Sequence, residues 1–227
     1  MTGRKAFFSD GKLATLIVIA ILVIDQVIKI WVKTHMHLHE SIHVTDWFYI
    51  TFIENNGMAF GMSIGSKLVL SLFRVVAISV LAYFIWLQVR RHARTGYIVL
   101  LSMVMAGATG NLIDCLFYGQ IFNASSPFYI SYFVDYGTGY APFLMGKVVD
   151  MFYFPLIEST WPDWMPFWGG QDFVFFSPVF NFADASISVS VVLLLLFYRK
   201  EISEITLKRE HQEGEERKER EEREERE

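Results

Sequence analysis

A single cysteine, Cys115, stands in the 227 residues, so no intrachain disulfide can brace the fold, and one thiol alone makes no cysteine-rich metal site. No His-Glu-x-x-His zinc pattern occurs. Nor is there the basic patch that binding to nucleic acid would require. Lysine and arginine are scarce in two stretches: 33–67 carries only Lys33 and Lys67, and 118–178 only Lys147. The prolines, at 127, 142, 155, 162, 166 and 178, all fall in the second of these. What the chain has in abundance is apolar side chain, 53% of its residues, with mean hydropathy +0.33.

The apolar residues come in blocks. Windows near 12–32, 68–89, 96–117 and 179–198 each approach the roughly 20 residues that carry a helix across a bilayer. The sequence therefore predicts a membrane all-α fold with four transmembrane helices. Arg4, Lys5 and Lys12 precede the first span, Arg90, Arg91 and Arg94 fill the short second loop, and Arg199, Lys200, Lys208 and Arg209 follow the fourth. By the positive-inside rule both termini face the cytoplasm and the larger loops, about 33–67 and 118–178, face outward. A cleaved signal peptide is the rival reading of the start. Such a peptide ends in a small-residue site, whereas Leu13–Ile24 runs on into Asp25-Gln26-Val27-Ile28-Lys29.

In the first outer loop, strand-like residues 44–53 are followed by Glu54-Asn55-Asn56-Gly57. Asn-Gly between such runs is a hairpin signal, and the expectation is a small β-rich cradle on the outer surface. The third loop spreads Trp161, Trp164 and Trp168 as an interfacial belt would; it reads equally as a lid or an anchor. Residues 1–198 form one membrane domain on this reading. Residues 199–227 form a charged cytoplasmic tail with i,i+4 pairs such as Glu216/Arg220 and Glu219/Arg223, which support a solvated helix.

The polar residues inside the spans are few, and helix rise places them together. On four antiparallel spans, Asp25 and Lys29 fall about 10 and 5 Å from the outer end, Asn111 and Asp114 about 9 and 5 Å, and Asp184 about 7 Å. Arg74 on the second span falls near 10 Å on the same scale. A charged group in hydrocarbon is costly and marks a functional site by default. Asp25 and Lys29, one turn apart with the acid first, read as a structural ion pair. Asn111 and Asp114 share a helix face and serve either the site or helix packing. Gly107 and Gly110 suit close helix approach. Arg74 either pairs with a carboxylate or reaches outward.

His35, His37, His39 and His43 invite a metal reading, but no carboxylate cluster nearby completes a hydrolytic site, and a solvated turn is the simpler account. Asp150 ends Lys147-Val148-Val149-Asp150 as the third loop returns to the membrane, and Asp184 sits at the outer end of the last span. Two carboxylates in one low-dielectric site cannot both ionise easily, so the pair retains a proton. One can then activate water while the other protonates a carbonyl.

Taken in order, these segments resemble the lipoprotein signal peptidase (signal peptidase II) family over roughly residues 12–198. Asp25 with Lys29 is similar to its Asp-x-x-x-Lys. Asn56-Gly57-Met58-Ala59-Phe60 resembles its Asn-x-Gly-x-Ala-Phe segment, with Gly adjacent to Asn here. Gly110-Asn111-Leu112-Ile113-Asp114 resembles Gly-Asn-x-x-Asp, Val148-Val149-Asp150 resembles Val-x-Asp, and Phe180-Asn181-Phe182-Ala183-Asp184 resembles Phe-Asn-x-Ala-Asp. The resemblance implies a metal-independent aspartic endopeptidase of the bacterial cytoplasmic (inner) membrane, without a cofactor, that cleaves diacylglyceryl-modified prolipoproteins before the lipidated cysteine. Its partners would be those substrates and membrane lipids. Asp150 and Asp184 would be the catalytic pair. Asn111 and Asn181 would orient the scissile amide and Asn56 would shape the outer site, with Gly110, Ala183, Asp25, Lys29 and Asp114 in support. Two departures stand out. Cys115 occupies the position where the family usually has Arg, which Arg74 could replace from the second span, and the third loop is long. The competing class is a non-enzymatic transporter or proton-relay protein, which would spread its polar residues through the whole membrane depth.

Overall fold

The computed structural model describes residues 10–56 and 67–203. Three helices are long and apolar enough to cross a membrane: α1 (Asp10–His35), α2 (Lys67–Arg90), and α3 (Thr95–Ile113) with its continuation to Ile121. That continuation consists of a π turn, Asp114–Tyr118, and a single helical turn, α4 (Gly119–Ile121). The fourth apolar helix, α5 (Phe182–Phe197), has 16 residues, and is thus about 24 Å long. It begins later than the expected span at 179 because Val179–Phe180 is taken up as a strand and Asn181 caps the helix, its side chain accepting from the Asp184 N–H.

Helix α3 is the hub, packed against α1, α2 and α5. Gly107 and Gly110 permit this. A Cβ at Gly107 would run into the Ala183 carbonyl oxygen, and one at Gly110 would lie 2.7 Å from Asp25 Oδ2. The outer faces of α1 and α2 stay bare, with Val27, Val69, Phe73 and Val80 exposed, as suits surfaces turned to lipid.

At one end of the helices lies a four-stranded antiparallel sheet, in the order β1 (Ser41–Thr45), β2 (Phe48–Asn55), β3 (Val148–Tyr153), β6 (Val179–Phe180). The β1–β2 turn falls at Asp46-Trp47, with Thr45 paired to Phe48, rather than at Asn56-Gly57. Gly57 and the residues to 66 lie outside the described residues. The sheet draws on both large loops: β2 pairs with β3 so that Ile53 opposes Asp150 and Asn55 opposes Val148. Alternation then turns Phe52, Val149 and Met151 toward an apolar cluster with Val32, Met36, Tyr118 and Phe122, and Asp150 to the opposite face. A second apolar cluster, around Ala14, Ile85, Ile98, Leu101 and Leu194, occupies the far end of the bundle. The intramembrane polar residues lie between the two. A separate hairpin, β4 (Ile157–Thr160) with β5 (Asp172–Phe175), is inserted between β3 and β6. Of the charged tail, residues 204–227 lie outside the described residues.

Candidate active site

Lys29 is fully buried and completely partnered. Its ammonium group, with three hydrogens to donate, places Nζ 3.0 Å from Asp25 Oδ2, 2.7 Å from Asp114 Oδ2 and 2.8 Å from Asn111 Oδ1. The i,i+4 pair expected from sequence is thus one side of a triad whose acids are themselves employed. Asp25 Oδ1 accepts from the Ala183 N–H at 3.0 Å, so α1 supplies a cap for the first turn of α5. Asp114 Oδ2 accepts from the Val149 N–H at 3.3 Å, tying α3 to the strand that carries Asp150. Gln26 closes the cluster. Its amide donates to Asp25 Oδ2, Asp114 Oδ1 and the Gly110 carbonyl, and it accepts from the Tyr118 hydroxyl. Breaking one partner out of such a buried charge group costs about 3–5 kcal/mol.

From Lys29 a chain of amides runs outward. Asn111 Oδ1 accepts from Lys29 and, at 3.0 Å, from Asn181 Nδ2, while Asn111 Nδ2 donates to Asp184 Oδ1 at 2.7 Å. Asn181 Nδ2 also donates to Asp150 Oδ1 at 2.7 Å, and Asn181 Oδ1 accepts from the Asp184 N–H at 2.9 Å. Each asparagine orientation follows from this network, because flipping either amide would set donor against donor. The two carboxylates therefore hang from one pair of mutually bonded asparagines. They differ in surroundings. Asp150, on β3, is 2% exposed; burial and then the charge of Asp184 raise its pKa to about 7, against hydrogen bonds from Asn181 and Asn55 that pull it down. Asp184 is partly exposed and occupies the first turn of α5, where the helix dipole favours a negative charge.

The structure thus gathers Asp25, Lys29, Gly110, Asn111, Asp114, Asp150, Asn181, Ala183 and Asp184 in one connected site. Asn56 is elsewhere: exposed, its Oδ1 lies 3.4 Å from Lys67 Nζ. Its neighbour Asn55 reaches the site, donating to Asp150 Oδ2 at 3.2 Å. Counted from Asn55, the run Asn55-Asn56-Gly57-Met58-Ala59-Phe60 matches Asn-x-Gly-x-Ala-Phe without a slip, and strand parity shows why: Asn55, the last residue of β2, shares the face of Ile53 and Asp150, and Asn56 lies just past the strand. Arg74 Nη1 lies 3.2 Å from Cys115 Sγ, so α2 brings a guanidinium to the residue that stands in the family's arginine position. Gln26 and Tyr118 were not anticipated, although a side-chain amide inside an apolar span is itself a signal. Also unforeseen is buried Glu54, which accepts from Lys33, Ser125 and Lys147; those charges hold its pKa below the usual carboxylate value despite burial. The histidines do not converge: His35 stacks on Trp31, His37 meets Glu40 and His43 meets Asp46.

A bundle of apolar helices, a sheet across one end and a linked pair of carboxylates between them, Asp150 buried and Asp184 partly exposed, define a multi-pass membrane protein with an acidic site where helices meet sheet. Comparison with known proteins names the group. The family model for signal peptidase (SPase) II matches residues 17–199. A lipoprotein signal peptidase of Porphyromonas gingivalis is 51% identical over 195 residues, 86% of either chain. One from Amoebophilus asiaticus is 33% identical over 85% of this chain and 80% of its own. The fold is similar to that of a bacterial membrane enzyme determined by the in meso method at 1.9 Å, with TM-score 0.55 at 23% identity over 86% of this chain and 96% of that one. The chain belongs to the signal peptidase II family.

Proposed function

We propose that this protein is an aspartic endopeptidase that removes signal peptides from diacylglyceryl-modified prolipoproteins, cutting before the lipidated cysteine. Its four helices, α5 included, cross the cytoplasmic membrane with both termini inside and the sheet on the outer face. Asp150 and Asp184 do the chemistry. The observation that carries this reading is the amide bridge: two carboxylates on different elements, each held by one of a bonded pair of asparagines, with Asp150 raised to about 7 beside a more exposed Asp184.

In that arrangement Asp150 holds the shared proton and Asp184 is the base. A water between them gives a proton to Asp184 as its oxygen attacks the scissile carbonyl carbon, and Asp150 protonates the carbonyl oxygen. Collapse of the tetrahedral diol returns that proton to Asp150 and passes the other from Asp184 to the leaving amine. Lys29 lies two bonds back from Asp184 through Asn111, where its charge polarises the amide that donates to the carboxylate. The lipid on the substrate cysteine would hold the scissile bond at the membrane surface, at the depth of the pair. Membrane lipids are the second partner.

Asp150→Asn and Asp184→Asn should each lower cleavage of a lipidated precursor by about 10²–10⁴-fold, followed by gel shift of the released peptide. The double variant should be no worse than either single one. Turnover near wild type in either variant, with the protein folded, would overturn the assignment.

A further inference from the structure

Between β3 and β6 the chain leaves the sheet for residues 154–178, and both ends of the excursion are fixed by the pairing of Tyr153 with Val179. Asp150 lies just before the departure and Asp184 just after the return, so whatever holds the excursion also holds the two strands flanking the site. Within it β4 and β5 pair Ile157 with Phe175, Glu158 with Val174, Ser159 with Phe173 and Thr160 with Asp172. Opposed and alternate residues share a face. One face therefore presents Ile157, Phe173 and Phe175, interrupted only by the small Ser159, with Trp161 packed on Phe173 at 4.8 Å. The other presents Glu158, Thr160 and Asp172 beside Val174, with Thr160 Oγ1 donating to Asp172 at 3.0 Å.

The apolar face is uncovered, and the tip more so: Trp164 is 80% exposed and Phe167 92%. A two-stranded hairpin is marginal in water on its own, and a contiguous bare apolar patch marks an interaction surface. Position in the fold identifies the partner. Beyond Phe180 only Asn181 separates the sheet from apolar α5, so the hairpin emerges level with the helix ends. A run of ring contacts, Trp47 stacked on Phe154, Phe154 stacked on Phe180 and Phe176 edge-on to Phe180, continues from the sheet into its base. Tryptophan with a polar reverse face suits the boundary between headgroups and acyl chains. No lysine or arginine occurs between 148 and 198, which argues against an attachment by charge.

We infer that the 154–178 hairpin is a membrane-anchoring paddle: its apolar face and Trp164–Trp168 tip sit in the lipid interface beside the site, with the acidic face to water. The partner is the bilayer itself, and the inference rests on the membrane location of the chain rather than on the peptidase chemistry. Anchoring here would set the height of Asp150 and Asp184 above the hydrocarbon.

The test uses the full chain in phosphatidylcholine vesicles without substrate. Phe167→Cys and, separately, Glu158→Cys are labelled with a polarity-sensitive fluorophore, with wild type as the control for labelling of buried Cys115. The label at 167 should be quenched several-fold more by lipids bearing a nitroxide near the headgroup than by aqueous iodide, and the label at 158 should show the reverse. A label at 167 open to iodide and untouched by nitroxide lipid would overturn the paddle. Protection gained only on adding a lipidated precursor peptide would make the hairpin a substrate lid instead. Protection that appears only as the protein-to-lipid ratio rises would make it a contact between copies. Either result also refutes the inference, and neither bears on whether the enzyme cleaves.

Discussion

A single carboxyl carries much of the electrostatics of the site. Asp150 has a folded pKa of about 7 against an ordinary 3.8, so the native state favours its protonated form. That preference stabilises the fold fully below the ordinary carboxylate value and is lost as pH rises through about 7. Asp150→Asn, which cannot ionise, escapes the loss. Its melting temperature relative to wild type should therefore climb by a few degrees, about 2–4 °C per kcal/mol for a chain of this size, between pH 5 and pH 9. A difference that stays flat across that range in thermal unfolding would mean Asp150 is not held protonated. Sequence reading reached Asp150 and Asp184 because a lone acid at the edge of an apolar run is conspicuous. It settled on Asn56 instead of Asn55 because two adjacent asparagines are distinguished only by strand parity, which depends on the partner strand. Gln26 escaped because neutral amides stand out less than charges, although its three donated contacts tie Asp25 and Asp114 together.

Among the elements, α3 determines whether α5 arrives at the right distance. Gly107 is where they meet most closely, against backbone that cannot swing aside. Gly107→Ala should force the helices apart at a cost of about 1–3 kcal/mol, read as a lower melting temperature in detergent. Gly11→Ala is the contrast: its Cβ would rest 3.6 Å from Val89 Cγ1, an ordinary contact, and the gain in helix propensity leaves stability equal or higher. Equal losses from both would show that α3–α5 spacing is not the limiting contact. The long apolar helices were legible from hydropathy alone. The sheet was only half legible, since a strand-rich first loop could be seen but its partner β3, some ninety residues away, could not. The β4–β5 hairpin was hidden because its prolines and tryptophans read as irregular loop.

At the scale of the whole molecule, the loops govern orientation. The lysine and arginine distribution predicts that the sheet lies outside. Glu158→Cys, on the polar face of the hairpin, should react with an impermeant maleimide added to intact spheroplasts, while Cys115 stays protected by burial. Reaction only after the membrane is broken would reverse the topology and move the site to the cytoplasmic face. No single residue encodes this; it is the sum of positive charge over the loops, which is why it is legible in sequence.

The bond from the Ala183 N–H to Asp25 has a consequence in time. Its partners are 158 positions apart in the chain, and synthesis runs from the first toward the last. While α1 to α3 enter the membrane, Lys29 already has Asp25 and Asp114, but Asn111 still has neither Asn181 nor Asp184 to hold. The two aspartates meet only when the last helix is made and β6 closes on β3. Until then, on the proposed assignment, the ribosome is building a protein with half a site, and the final helix to be made completes it.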